Sequence, residues 1–154
     1  VFDREVRLSP AEEMIWSKAF IQERERFDGA DVAHIFKAMA DRMDWPRLLA
    51  RFDQHWRVLY SHLVLFGYIY PDSRVLVPSW VMTELNTRLI AETTSASPSA
   101  HVCNGPVLSR QQYLPDLEDG YEDARVATLG TMTEDQVAAW TDAIEVDGDG
   151  AKGN

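Results

Sequence analysis

Apolar positions recur at helical spacing along most of this chain. Val32, Ile35, Phe36, Met39 and Met43 form one stripe, and Trp56, Leu59, Tyr60, Leu63 and Phe66 form a second. Val81, Met82, Leu85 and Leu89 make a third. These stripes predict helices in series. One runs from about Pro10 to Phe27 and another starts near Ala30. A short one follows Asp44-Trp45-Pro46 through Leu48, Leu49 and Phe52. A longer one is stopped by Gly67 before the turn residues Tyr68 to Asp72, and Pro78 opens another. Only the start of the chain has a different period. Phe2, Val6 and Leu8 alternate with Asp3, Arg7 and Ser9, which is a short strand pattern. A lone strand is not stable, and no convincing partner strand follows, so the rest of its sheet is expected upstream of Val1. The fold class is therefore mainly α: a helical, bundle-like region preceded by one short β-strand.

The pattern breaks after residue 93. Thr93-Thr94-Ser95-Ala96-Ser97-Pro98-Ser99-Ala100 has linker composition, so residues 1–93 are expected to form the helical body and 94–107 a linker. A small helical extension over 108–146 follows. It has one helix capped at Ser109 and a better one capped at Thr133, with Gln136 completing the capping box. Val137, Trp140 and Ile144 give that last helix an apolar edge, and the glycine-rich end, 147–154, is expected to be disordered. No internal repeat is present.

Composition narrows the classes. The 154 residues, 45% hydrophobic with 5 Trp, supply a core for one domain with an extension. A net charge of −10 argues against general nucleic-acid binding. The charge is uneven: residues 94–154 hold 3 Lys or Arg against 11 Asp or Glu, so the near-neutral first part is the better host for an anionic nucleotide. Cys103 is the one cysteine, which excludes an internal disulfide and a four-cysteine zinc site and fits a reducing, cytoplasmic compartment. The apolar run from Val58 to Tyr70 is too short to span a bilayer, so no membrane partner is expected. The opening Val-Phe-Asp-Arg-Glu is not a signal peptide.

Lys18 is the candidate that carries chemistry. Ser9, Pro10 and Glu12 read as the capped start of a helix on which Lys18 falls four residues after Met14 and three before Ile21. That places an ammonium on the apolar face, where it needs a carboxylate or a phosphate as partner. Asp28-Gly29-Ala30-Asp31, at the junction with the next helix, is the acidic cluster expected to face it, and Lys18, Asp28 and Asp31 together would make a phosphate-and-metal corner. The ordinary alternative is a lysine that buries only its stem, beside an N-cap Asp28 and a first-turn Asp31. Arg24 alternates with Glu23 and Glu25 at the helix end; it reads as part of a solvated face or as a further phosphate contact. His55 and His62 lie two turns apart on one helix, too far for a shared ion, and read as core histidines. Asp147-Gly148-Asp149-Gly150 lacks the later glutamate of a calcium loop. Cys103 has no basic neighbour to make it a nucleophile.

The stretch from Pro10 to Phe20, followed by Arg24, Arg26, Asp28 and Asp31, resembles bacterial nucleotidyltransferases related to the abortive-infection toxin type. The run from His55 to Pro71, Leu108 to Leu114, and Gly130 to Thr133 are similar to the same family, so the resemblance covers nearly the whole chain. It implies transfer of a nucleotidyl group from a nucleoside triphosphate, with magnesium as cofactor of the intact protein. Lys18 matches the lysine that steadies the triphosphate, Asp28 the later aspartate, and Asp31 is a supporting carry-over. The family's Gly-Ser or Gly-Gly turn and its Asp-x-Asp pair after a strand have no counterpart here, so no metal ligand is assigned within the chain. The resemblance thus implies a C-terminal portion, inactive by itself. A start at Val1 fits a fragment or a GTG codon. The rival expectation is a non-catalytic helical module. There Lys18 pairs structurally with Asp28, and the aromatic helix from Asp53 to Phe66 docks a protein partner.

Overall fold

Sequence periodicity is realised as packing in the segment from Ala11 to Thr94. In the computed structural model, which describes residues 9–150 and side chains as far as Asp142, α1 spans Ala11–Ala19 and α2 spans Gly29–Met39. A 3-10 turn, Ala40–Arg42, leads to α3, Trp45–Phe52. A second, Asp53–His55, leads to α4, Trp56–Ile69, and a third, Ser73–Leu76, precedes α5, Ser79–Thr94. The chain is mainly helical. The strand expected over Phe2 to Leu8 lies outside the described residues.

The described residues fall into two compact units. The first comprises residues 9–21 and 27–97, and the second comprises 22–26 and 98–150. In the first unit the stripes meet in one core. Ile15, Val32, Phe36, Leu48, Phe52, Leu59, Phe66, Val81 and Leu85 are fully buried there. Phe36 stacks on Trp45 at 6.0 Å between ring centroids and meets Phe66 at 5.7 Å. Each such ring removes a large apolar area from water, which is the main favourable term for a domain of this size.

Helix ends depart from the sequence expectation at two places. The first helix stops at Ala19 rather than Phe27. Ile21 N–H turns back onto the Lys18 carbonyl (3.0 Å), and residues 22–26 take partners in the second unit. Tertiary bonding overrides helical periodicity there. Gly67 does not end α4, because it lacks the positive φ of a helix stop. A Cβ at position 67 would meet the Arg74 Cβ at 3.7 Å, an ordinary contact distance, so helix packing does not require glycine there.

In the second unit, β1 (Val102–Cys103) pairs in parallel with β2 (Glu122–Asp123). Both lie past the end of α5, so part of the expected 94–107 linker is structured. No helix begins at Ser109. The chain turns there, and the short helices α6 (Leu114–Glu118) and α7 (Ala124–Ala127) follow. Ser109 is buried, donating to Glu23 Oε2 at 2.5 Å while accepting from Gln112 N–H. The capping box at Thr133 forms as its sequence dictates. Thr133 N–H donates to Gln136 Oε1 at 2.9 Å and Gln136 N–H to Thr133 Oγ1 at 3.3 Å. It opens α8, Glu134–Gly150, whose backbone is helical through Asp147 and Asp149, where a disordered end is expected from composition.

Candidate functional site

Lys18 stands in the last turn of α1, where a cation is favoured by the exposed carbonyl ends of the helix. Its Nζ donates to Asp31 Oδ2 at 2.7 Å and to Asp28 Oδ2 at 3.2 Å. The fold thus brings together the three residues whose type and spacing stand out in the sequence. Their burial differs from the expectation of an ammonium on the apolar face. The Lys18 side chain is 29% exposed, Asp28 only 10%, and Asp31 55%. The stem of Lys18 covers apolar surface while its amine sits at the rim.

The two carboxylates act together on that amine. The Asp31 hydrogen bond, then the Asp28 one, holds the Lys18 pKa above the ordinary lysine value. Lys18 is therefore fully charged at neutral pH. An ammonium has three N–H donors, and the carboxylates take one each. Asp28 occupies the N-cap position of α2 without capping it through its side chain. Its backbone N–H donates to the Ile21 carbonyl at 3.1 Å, which fixes the entry into α2.

Arg24 belongs to the 22–26 segment of the second unit and is exposed. It is not among the groups that bind Lys18. The expected capping box at Ser9 and Glu12 does not form. Pro10 is the N-cap of α1, and buried Glu12 reaches across to accept the Asp44 backbone N–H at 2.8 Å. Asp44 itself caps α3, accepting from Arg47 N–H at 3.0 Å.

One core histidine lies beneath this site, a place its sequence position does not reveal. His62, 4% exposed on α4, has Nε2 2.9 Å from the Ala19 carbonyl oxygen, immediately after Lys18. Its ring lies nearly parallel to Phe27, 6.1 Å between centroids and 13° between planes, immediately before Asp28. Burial pushes the His62 pKa down, partly opposed by the Ala19 hydrogen bond. The inward stripe of α4 marks His62 as a core histidine, but nothing in the sequence gives its partners. His55 instead packs edge-on against Phe20, at 5.2 Å.

Magnesium is the metal implied by the nucleotidyltransferase resemblance, and the carboxylates here do not fit it. Asp28 and Asp31 both serve Lys18, and an ammonium between them occupies the space and charge a dication needs. Among the described residues no group of three His, Cys, Asp or Glu is placed to hold a metal ion. Asp147 and Asp149 fall within helical backbone, not after a strand. Among the described residues no helix is long and apolar enough to cross a membrane.

No family model matches the chain, and neither a curated protein nor a solved structure does.

Proposed function

We propose that the first unit is the triphosphate-holding helical part of a nucleotidyltransferase-like protein. In this reading Lys18 binds a phosphate oxygen of a nucleoside triphosphate, and Asp28 keeps the lysine aimed. The observation that carries it is the graded burial of the triad: a nearly buried Asp28, a rim-level Lys18 and a largely exposed Asp31. Exposed ion pairs contribute little, so Asp31 is a partner that Lys18 can exchange for a phosphate at small cost. Asp28 does not exchange, because its carboxylate has little water to turn to. The uncapped first turn of α2, eleven residues long, adds partial positive charge beside the amine. That offsets part of the extra negative charge of a triad with two carboxylates and one ammonium. The metal of the resemblance stays outside this reading.

A second reading has its own observation. A charged lysine on two aspartates that open the next helix is also a tie between α1 and α2, as a non-catalytic helical module needs. The docking face proposed for that module changes, however. Trp56 and Phe66 of α4 are spent on the core, so the aromatic face is not free.

A double-mutant cycle between Lys18 and Asp28, read by urea unfolding, separates the two readings. Lys18→Ala and Asp28→Ala are expected to couple only weakly, as a partly exposed ion pair does, if Lys18 is kept for a ligand. Coupling as strong as that of a buried, mutually dependent pair assigns the triad to structure.

A further inference from the structure

We infer that His62 is the positioning residue of the Lys18 site, holding the end of α1 and the start of α2 at the separation that lets one amine meet both aspartates. The inference rests on the proposed reading of Lys18 for its functional meaning, and on geometry for its structural content. Three contacts carry it. The Nε2–H of His62 donates to the carbonyl of Ala19, the residue after Lys18 and the last of α1. The opposite constraint comes through Phe27, whose ring is stacked on His62 and also overlies Gly29, the first residue of α2. A Cβ at position 29 would overlap that ring, so glycine is what lets Phe27 lie there. Asp28 is held between these two neighbours. One α4 side chain thus touches the flanking residue of the lysine and the flanking residue of the fixed aspartate.

The chemistry of the contact is selective. Ala19 ends α1, and its carbonyl oxygen accepts from the His62 ring. Nε2 of a histidine reaches that carbonyl in a way that a glutamine amide reproduces and a shorter asparagine does not. A flat ring is also needed to stack on Phe27, which leucine does not offer. His62→Gln therefore keeps the donor but not the ring, whereas His62→Asn and His62→Leu lose the donor's reach as well as the ring.

The experiment is the titration of the Lys18 side-chain methylene next to the amine, followed by NMR in the full chain without ligand. The chain has lysines only at 18, 37 and 152, so Lys18→Ala assigns the signal directly. In His62→Gln, which keeps the donor and loses the ring, Lys18 should move no further than in Phe27→Leu. In His62→Asn and His62→Leu its titration should fall back toward the ordinary lysine value. Phe27→Leu should give a smaller change of the same sign, and it keeps the test open if a His62 variant does not fold. Val81→Ala, a core truncation away from the site, should leave Lys18 unchanged even though it lowers stability. An unchanged Lys18 titration in folded His62→Leu, His62→Asn or Phe27→Leu overturns the inference. Failure of the triphosphate reading would appear elsewhere, in the Lys18–Asp28 stability cycle, and would leave this ligand-free titration as it stands.

Discussion

The carboxylate of Glu12 lies 2.8 Å from the backbone nitrogen of Asp44, so the first turn of α1 holds the N-cap of α3. Glu12 is only 7% exposed, and its hydrogen bond satisfies a backbone donor 32 residues away. Glu12→Ala leaves that donor without a partner and should cost about 1–3 kcal/mol in urea unfolding. Glu12→Gln keeps an acceptor oxygen in place and should recover most of the loss. Equal losses in the two variants would show that the hydrogen bond is not what matters.

Phe36 is the largest test of the first unit's core. It is fully buried between Trp45 and Phe66. Phe36→Ala should cost about 3–5 kcal/mol, measured from the urea midpoint at constant slope. A loss near 1 kcal/mol, the typical effect of a point substitution, would mean that the three rings are not packed as described.

Asp53 takes φ 36°, the one non-glycine residue with positive φ among the described residues. It joins α3 to the 3-10 turn ahead of α4. Backbone strain of this kind costs on the order of 1 kcal/mol, and glycine relieves it. Asp53→Gly should therefore raise the melting temperature by about 2–4 °C. The same change removes the carboxylate that partly counters the burial-lowered pKa of His55, so His55 should titrate lower still. A falling melting temperature would contradict the strain.

Acid sensitivity should follow from His62. Burial lowers its pKa in the folded chain, so the unfolded chain takes up the proton first as pH falls. Its contribution is fully present above the unfolded histidine value of about 6.5 and is lost as pH drops toward the lower folded value. Thermal melts of wild type and His62→Gln between about pH 7.5 and 5 should diverge on the acid side, the wild type losing more. Parallel curves would remove His62 from the pH dependence.

Much of this architecture was legible in the sequence, and the rest was hidden for physical reasons. The stripes on α2, α4 and α5 predict the buried faces because core-facing side chains must recur at 3.6 residues. Asp44-Trp45-Pro46 and Thr133–Gln136 announce helix starts because caps are local interactions. Glu12 and Ser109 read as local caps in the sequence, whereas each bonds to a residue distant in sequence. No local rule distinguishes those uses. The meeting of Lys18 with Asp28 and Asp31 was expected from type and spacing. Their unequal exposure, and His62 beneath them, depend on how α4 packs against the ends of α1 and α2.

The most direct test of Lys18 as a phosphate-holding group is calorimetric titration of the full chain with inorganic tripolyphosphate. The account predicts saturable binding by the wild type, weakened at least about tenfold by Lys18→Ala, because a charge-assisted contact is lost. It also predicts binding at least as tight in Asp31→Ala, since removing the exchangeable carboxylate frees the amine. Binding that is absent from the wild type, or equal in wild type and Lys18→Ala, would contradict it and leave the triad as a structural tie between α1 and α2.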